Sequence, residues 1–208
     1  MCQGFLADEP VAYVLDADPT VYRALRSIAR SRGVRVEPYG SAEDYFQVSD
    51  PKQSGCILFD PKVPGSGDFG LLLERLGREG IHLPVIVISA CGEVRAVVEA
   101  MRAGALNYLQ KPCGEGQLAE ALDEALRWNA DNHQDILDRL KVRRRLGRLT
   151  AGERQVLDLL LRGLSNKEIA HQLKLSVRAV EARRSKMMGT MRAKSLAGLL
   201  SQAISGRP

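Results

Sequence analysis

Cys56-Ile57-Leu58-Phe59-Asp60-Pro61-Lys62-Val63-Pro64 is a run of four apolar residues that ends on a carboxylate and then meets two prolines. A short apolar run closed by turn residues reads as a strand buried on both faces. Working outward, comparable runs lie at Val11-Ala12-Tyr13-Val14-Leu15, Val34-Arg35-Val36, Val85-Ile86-Val87-Ile88 and Asn107-Tyr108-Leu109. Their starts are 23, 22, 29 and 22 residues apart in chain order, which leaves room for one helix in each gap. The stretches between them (Thr20 to Arg32, Ala42 to Gln47, Phe69 to Arg78, Glu93 to Ala103, and Gln117 onward) carry apolar residues at helical intervals. Five strand-helix units predict an α/β fold, a doubly wound parallel (βα)5 sheet of the flavodoxin-like kind.

Composition agrees with a packed protein. The 208 residues are 45% hydrophobic and 26% charged, which excludes a disordered chain, collagen and a coiled-coil fibre. The longest apolar runs, such as Val85 to Ile88, fall far short of the roughly 20 residues a membrane helix needs. The start Met1-Cys2-Gln3-Gly4 shows no charged segment leading into an apolar one, so we expect a cytoplasmic protein without a membrane partner. Cys2, Cys56, Cys91 and Cys113 form no CxxC pair and have no histidines at zinc spacing, so neither a disulfide framework nor a structural metal is signalled.

The charge is unevenly spread. Residues 1–126 hold 12 basic and 18 acidic side chains, residues 127–148 hold 7 and 3, and residues 149–208 hold 11 and 4. These three segments are the expected domains: the sheet, a linker helix, and a basic terminal domain. Clustered Lys and Arg are the footprint of a polyanion partner, rewarded by counterion release.

In an open parallel sheet, ligands bind beyond the carboxyl ends of the strands. Asp16, Asp18, Asp60, Ser89 and Lys111 follow four of the five runs. Three carboxylates, a hydroxyl and an ammonium suit a divalent cation and a phosphoryl group: a carboxylate as nucleophile, Lys111 to offset charge, Ser89 to hydrogen-bond an oxygen. Asp18, ahead of Pro19, also fits a helix N-cap.

Through Val14-Leu15-Asp16-Ala17-Asp18, Leu58 to Pro64, Val87-Ile88-Ser89-Ala90, Ala100 to Ala105 and Tyr108-Leu109-Gln110-Lys111-Pro112, the chain resembles the receiver domain of two-component response regulators. The resemblance implies that Asp60 is the phosphoacceptor, that Ser89 and Lys111 touch the phosphoryl group, and that Tyr108 is the aromatic that reports phosphorylation. It implies Mg²⁺ held by Asp16, Asp18, Asp60 and the backbone carbonyl of Lys62, and a cis peptide before Pro112. Two positions depart from the family. Ala17 stands where receivers carry a second adjacent acid that binds Mg²⁺ directly, which weakens the expected cation site, and Asp68 replaces the usual glycine. Asp16-Ala17-Asp18-Pro19-Thr20 is also similar to the DxDxT signature of haloacid-dehalogenase-type phosphatases. That family needs an acidic pair after the fourth strand, where this chain has Ser89-Ala90-Cys91-Gly92 and only Glu93 nearby.

No Gly or Pro interrupts the chain between Gly116 and Gly147, so one amphipathic helix is expected from Gln117 to about Arg145, carrying the Arg143-Arg144-Arg145 run as a solvated face or a phosphate contact. From Leu149 onward the pattern is helical. Thr150 and Glu153 form a capping box before Val156, Leu157, Leu160 and Leu161, with Gly163 as the stop. A helix at Asn166 to Gln172, a turn at Lys174-Leu175-Ser176 and a helix from about Val177 to Met191 then give helix-turn-helix geometry, with Val180, Met187, Met188 and Met191 inward. The second helix is expected to show Arg178, Glu181, Ala182, Arg183, Arg184, Ser185 and Lys186 to solvent, where they can meet base edges and phosphates in a major groove.

Leu149 to Leu157, Gly163 to Ala170, Leu175 to Glu181 and Ala193 to Leu196 resemble the LuxR-type DNA-binding domain, within a stretch ending near Gly206. By that match Glu181, Ala182 and Ser185 face bases, while Lys167, Arg178, Arg183, Arg184 and Lys186 lie nearer phosphates, with Asn166 beside them. Ala179 and Arg183 replace the family's usual Thr and His. A receiver followed by this domain is the architecture of FixJ/NarL response regulators. It implies a double-stranded DNA partner, a sensor histidine kinase that phosphorylates Asp60, and a homodimer when active. Within the same fold the alternative, motivated by Ala17, is a pseudo-receiver that signals without phosphate.

Overall fold

The computed structural model describes residues 9–205 and divides the chain into two compact units, residues 1–134 and 135–208. Cys2, the chain start and Gly206 lie outside the described residues.

In the first unit, β1 (Val11–Leu15), β2 (Arg35–Tyr39), β3 (Gly55–Phe59), β4 (Val85–Ser89) and β5 (Asn107–Gln110) form one parallel sheet in the order β2-β1-β3-β4-β5. The expected sheet is present. β1, β3 and β4 are buried along their whole length, as continuous apolar strands covered on both faces must be. Their side chains alternate between two cores. Tyr13, Leu15 and Phe59 join Phe69, Leu72 and Leu76 of α3 (Phe69–Glu79), with α2 (Ala42–Val48) and α4 (Val94–Ala103) on the same side. Val14, Leu58 and Ile86 face Leu25 and Ile28 of α1 (Pro19–Arg30) and Leu118 and Leu122 of α5 (Glu115–Gly147) on the other.

β2 runs to Tyr39, beyond the expected Val34 to Val36. Glu37 and Pro38 break the apolar pattern, but β2 is an edge strand, where a missing N–H and polar side chains are tolerated. At the start of β3, Gly55 holds φ +128°, and a Cβ there would stand 1.9 Å from the Val11 carbonyl oxygen. The buried Asn129 of α5 fastens the same spot, its Oδ1 accepting from Ser54 Oγ at 2.7 Å and from the Gly55 N–H at 3.0 Å. α5 is one 33-residue helix, as the absence of Gly and Pro predicts, and the division between the units falls inside it. Among the described residues no helix is long and apolar enough to cross a membrane.

The second unit packs α6 (Ala151–Leu161), α7 (Asn166–Leu173), α8 (Val177–Met191) and α9 (Leu196–Ser205) around Val156, Leu157, Ile169, Val180, Met187, Met191 and Leu199. Met188 is partly buried against this cluster. Val142 and Leu146, at the end of α5, close its margin. Full capping boxes open α6 (Thr150 with Glu153) and α7 (Ser165 with Glu168), and Ser176 caps α8. α9 has no counterpart in the sequence reading; its signal was Ser195, whose Oγ accepts the Gly198 N–H, ahead of Leu199 and Ala203 at a four-residue interval.

Candidate functional sites

The carboxyl ends of β1, β3, β4 and β5 bring one polar group after another to the sheet's edge. Lys111, just past β5, places its Nζ 2.7 Å from Asp16 Oδ2 and 2.6 Å from Asp60 Oδ2. Asp60 is only 7% exposed. Its Oδ1 accepts the Lys62 N–H at 2.8 Å, and its own N–H donates to Leu15 O at 2.9 Å. Burial opposes the Lys111 charge, but hydrogen bonds to Asp16 and Asp60 more than offset that and hold its pKa above the ordinary lysine value. The peptide between Lys111 and Pro112 is cis. Ser89 is buried at the end of β4, and its Oγ accepts the Cys91 N–H at 3.1 Å, which leaves its O–H to donate. Tyr108, half-buried, donates its hydroxyl to the Cys91 carbonyl at 2.6 Å. Ser89 and Tyr108 therefore hold the same loop, the one that leads into α4.

Asp18 corrects the expectation of three converging carboxylates. Its Oδ1 accepts the Thr20 N–H at 2.9 Å as the N-cap of α1, and hydrogen bonding by the Thr20 side chain, together with that backbone bond, keeps its pKa below the usual carboxylate value. The physical reason is Pro19 at the first helical position, which starts α1 there and leaves orphan N–H groups for the nearest acceptor. Asp16 Oδ1 is likewise turned to the Asp18 N–H, at 2.8 Å. Among the described residues no group of three His, Cys, Asp or Glu side chains could hold a metal ion. The donors that do converge, the carboxylates of Asp16 and Asp60, are hard oxygens and fit Mg²⁺ in kind, one acid short of a strong site because Ala17 offers none. Asp68, at the position where receivers have glycine, caps α3 through Leu71 N–H at 2.8 Å.

In the second unit, Arg178, Glu181, Ala182 and Ser185 are all exposed on α8, at spacings of three and four residues that form one stripe. Lys186 is exposed beside it and Lys167 on α7. Arg183 and Arg184 differ from expectation: both are half-buried. The Arg184 guanidinium donates to Asn166 Oδ1 at 2.5 Å, tying α8 to the start of α7, and Arg183 donates to the Gly152 carbonyl at 3.4 Å, near the start of α6. Two helices packed closely behind α8 offer these long side chains carbonyl acceptors, so they lie back rather than extend. Glu153, nearly fully buried, accepts the Thr150 N–H at 2.8 Å, which lowers its pKa; Lys186 Nζ lies 3.7 Å from it and lowers it further.

Comparison with known proteins gives the same two parts. Residues 12–123 match the family of response regulator receiver domains, and residues 148–203 match the luxR family of bacterial regulatory proteins. The chain is 36% identical over 192 residues to the transcriptional regulatory protein FixJ of Azorhizobium caulinodans, covering 92% of this chain and 90% of that one. It is 34% identical over 194 residues to FixJ of Rhizobium meliloti, covering 93% and 95%. Among solved structures, the response regulator StyR aligns with a TM-score of 0.59 at 34% identity over 94% of this chain and 98% of that chain. Full-length FixJ from B. japonicum aligns with a TM-score of 0.52 at 30% identity, over 95% and 97%.

Proposed function

Because this chain belongs to the two-component response regulators that carry a LuxR-type DNA-binding domain, we propose that its receiver is switched by phosphorylation of Asp60 and that the switch controls DNA binding. The observation that carries this reading is the Lys111 ammonium lying against both Asp16 and Asp60, with Ser89 on the neighbouring strand. In the proposed transfer an Asp60 carboxylate oxygen attacks the phosphorus of a sensor kinase phosphohistidine; the O–P bond forms, the N–P bond breaks, and the imidazole leaves with the bonding pair. Lys111 meets the charge on the phosphoryl oxygens and the Ser89 O–H donates to one of them. Asp16, Asp60 and the Lys62 carbonyl would hold Mg²⁺, which would supply further charge neutralisation there. Pulling the Ser89 hydroxyl toward the phosphoryl group loosens its bond to the Cys91 N–H. The loop that Tyr108 also holds then shifts, and α4 with it, favouring a homodimer that engages paired half-sites.

The receiver takes residues 1–126, the linker 127–148 and the DNA-binding domain 149–208 in this reading, and the protein works as a regulator, not an enzyme, in the cytoplasm where its DNA is. The phosphatase reading needs Asp18 as a free general acid, and Asp18 is engaged as a helix cap. The pseudo-receiver reading keeps one specific observation in its favour, the two-carboxylate site. Intact-mass spectrometry after incubation with Mg²⁺ and acetyl phosphate separates the two: we expect one added phosphoryl group in wild type and none in Asp60→Ala. An unmodified wild type that still binds DNA would leave the pseudo-receiver standing.

The helix surface makes its own prediction. Arg178→Ala removes an exposed cation from the α8 stripe. It should weaken DNA binding evenly across sequences and reduce the slope of log affinity against log salt by about 1. Arg184→Ala should instead loosen the α7–α8 bracing through Asn166 and lower the thermal midpoint of the DNA-binding unit. Binding measured at two salt concentrations, with a melt for each variant, checks both.

A further inference from the structure

Several helix ends share one closure, in which an N–H just past the helix reaches the carbonyl five residues back: Val34 to Ala29, Ile81 to Leu76, Ala105 to Ala100, Leu164 to Leu159, Leu175 to Ala170 and Ala193 to Met188. The residue ahead of each donor takes a positive φ, where glycine is at ease and an L side chain costs backbone energy. At α1, α3, α4 and α6 that residue is Gly33, Gly80, Gly104 and Gly163. At α7 and α8 it is Lys174, at φ +53°, and Arg192, at φ +54°. A cation at a helix C-terminus meets the dipole, which accounts for part of the choice at both. Lys174 has a further setting. Lys167, His171 and Lys174 follow one another at spacings of four and three, which sets them along one side of α7, and all three are exposed. Among the described residues neither lysine joins an ion pair. The three border an open recess of about 760 Å³ with Leu164, Glu168 and Gln172. Its one carboxylate, Glu168, is drawn to the start of α7, where it accepts the Ser165 N–H at 2.7 Å in the capping box. Two residues after Lys174, Ser176 caps α8, whose exposed stripe begins at Arg178.

We propose that Lys174 contacts the DNA backbone, completing with Lys167 and His171 a stripe along which one phosphate strand lies while α8 enters the groove. The proposal rests on the DNA-binding reading above. Seven residues along a helix put Lys174 about 10 Å from Lys167 measured on the axis, so one strand can pass both ammonium groups, with the His171 ring N–H as a donor between them. Glycine would close α7 at lower cost, as it closes α1, α3, α4 and α6, so the contribution of the lysine lies in its side chain. An acidic protein would also meet this charge, but the turn that leads directly into the base-reading helix favours DNA.

The test is the salt dependence of binding, read by fluorescence anisotropy of the full chain with a labelled duplex of about 30 base pairs between about 50 and 200 mM KCl. We expect Lys174→Gly to lower the slope of log affinity against log salt by about 1 and to weaken binding by up to about tenfold at the lower salt, while melting no earlier than wild type. Weaker binding without weaker folding is an effect that a purely structural cap would not give. Arg192→Gly removes the same charge and the same backbone cost from the far end of α8, and should keep the wild-type slope. Lys174→Arg should keep it too. Lys174→Asn, neutral and also at ease at positive φ, covers the case in which the glycine variant melts early. An unchanged slope in both Lys174→Gly and Lys174→Asn would overturn the proposal, as would Arg192→Gly lowering it as much. If Arg178→Ala lowers the slope and Lys174→Gly does not, the DNA reading stands and this contact falls; a wild type whose affinity ignores salt removes both.

Discussion

Gly55→Ala should unfold the receiver unit well below the wild-type melting temperature. At φ +128° an L side chain is strained whatever the space around it, and here the added Cβ would meet Val11 backbone atoms at 1.9, 2.6 and 2.7 Å. None of these can move without breaking the β1–β3 register, in which Val11 lies opposite Gly55. Backbone strain and steric overlap together should cost at least about 3 kcal/mol, or roughly 10 °C in a unit of this size. Differential scanning calorimetry of variant and wild type measures it. A midpoint within a couple of degrees of wild type would show that the strand starts can part without loss, against the packing described above.

Ala17→Asp should raise Mg²⁺ affinity by about tenfold or more, because a third carboxylate adds both a ligand and a full charge to a site that now has two. The fluorescence of the single tryptophan, Trp128, or calorimetry during Mg²⁺ titration would read the change. Asp18→Ala is the matched control: it should leave Mg²⁺ affinity nearly unchanged and instead cost about 1 kcal/mol through loss of the α1 cap. If Asp18→Ala weakened Mg²⁺ binding as strongly as Asp60→Ala, the cap would not be its main role, and the assignment of two carboxylates would fail.

Most of the fold was legible because its strands are buried on both faces: Val11 to Leu15, Cys56 to Phe59 and Val85 to Ile88 need unbroken apolar runs, and nothing else in the chain imitates them. β2 was only half legible, since an edge strand is free to hold Glu37 and Pro38. The position of each site residue along the chain could be read from where a strand ends, and so Asp16, Asp60, Ser89 and Lys111 are where the pattern put them. Their directions could not. Asp16 and Asp18 are two residues apart in one apolar-to-turn transition, yet one faces Lys111 and the other turns back to Thr20, a choice made by the helix that Pro19 starts. The same limit explains Arg183 and Arg184. Helical spacing placed them beside the exposed stripe, but acceptors supplied by α6 and α7, elsewhere in the chain, decided where their guanidinia rest.

The two capping boxes tie the DNA-binding unit to proton concentration. Glu153 and Glu168 both have pKa values lowered by hydrogen bonds from the residues they cap, Thr150 and Ser165. A lowered folded-state pKa means stability that is fully present above the ordinary glutamate value of about 4.3 and lost as pH falls through the lowered values. These are two of only four acids among residues 149–208, set against 11 basic side chains. Acidification therefore unlatches two helix starts and strips counter-charge from an already cationic body in the same step, so this unit should be acid-labile, and circular dichroism followed from pH 7 down to pH 3 should show its helices melting below about pH 4.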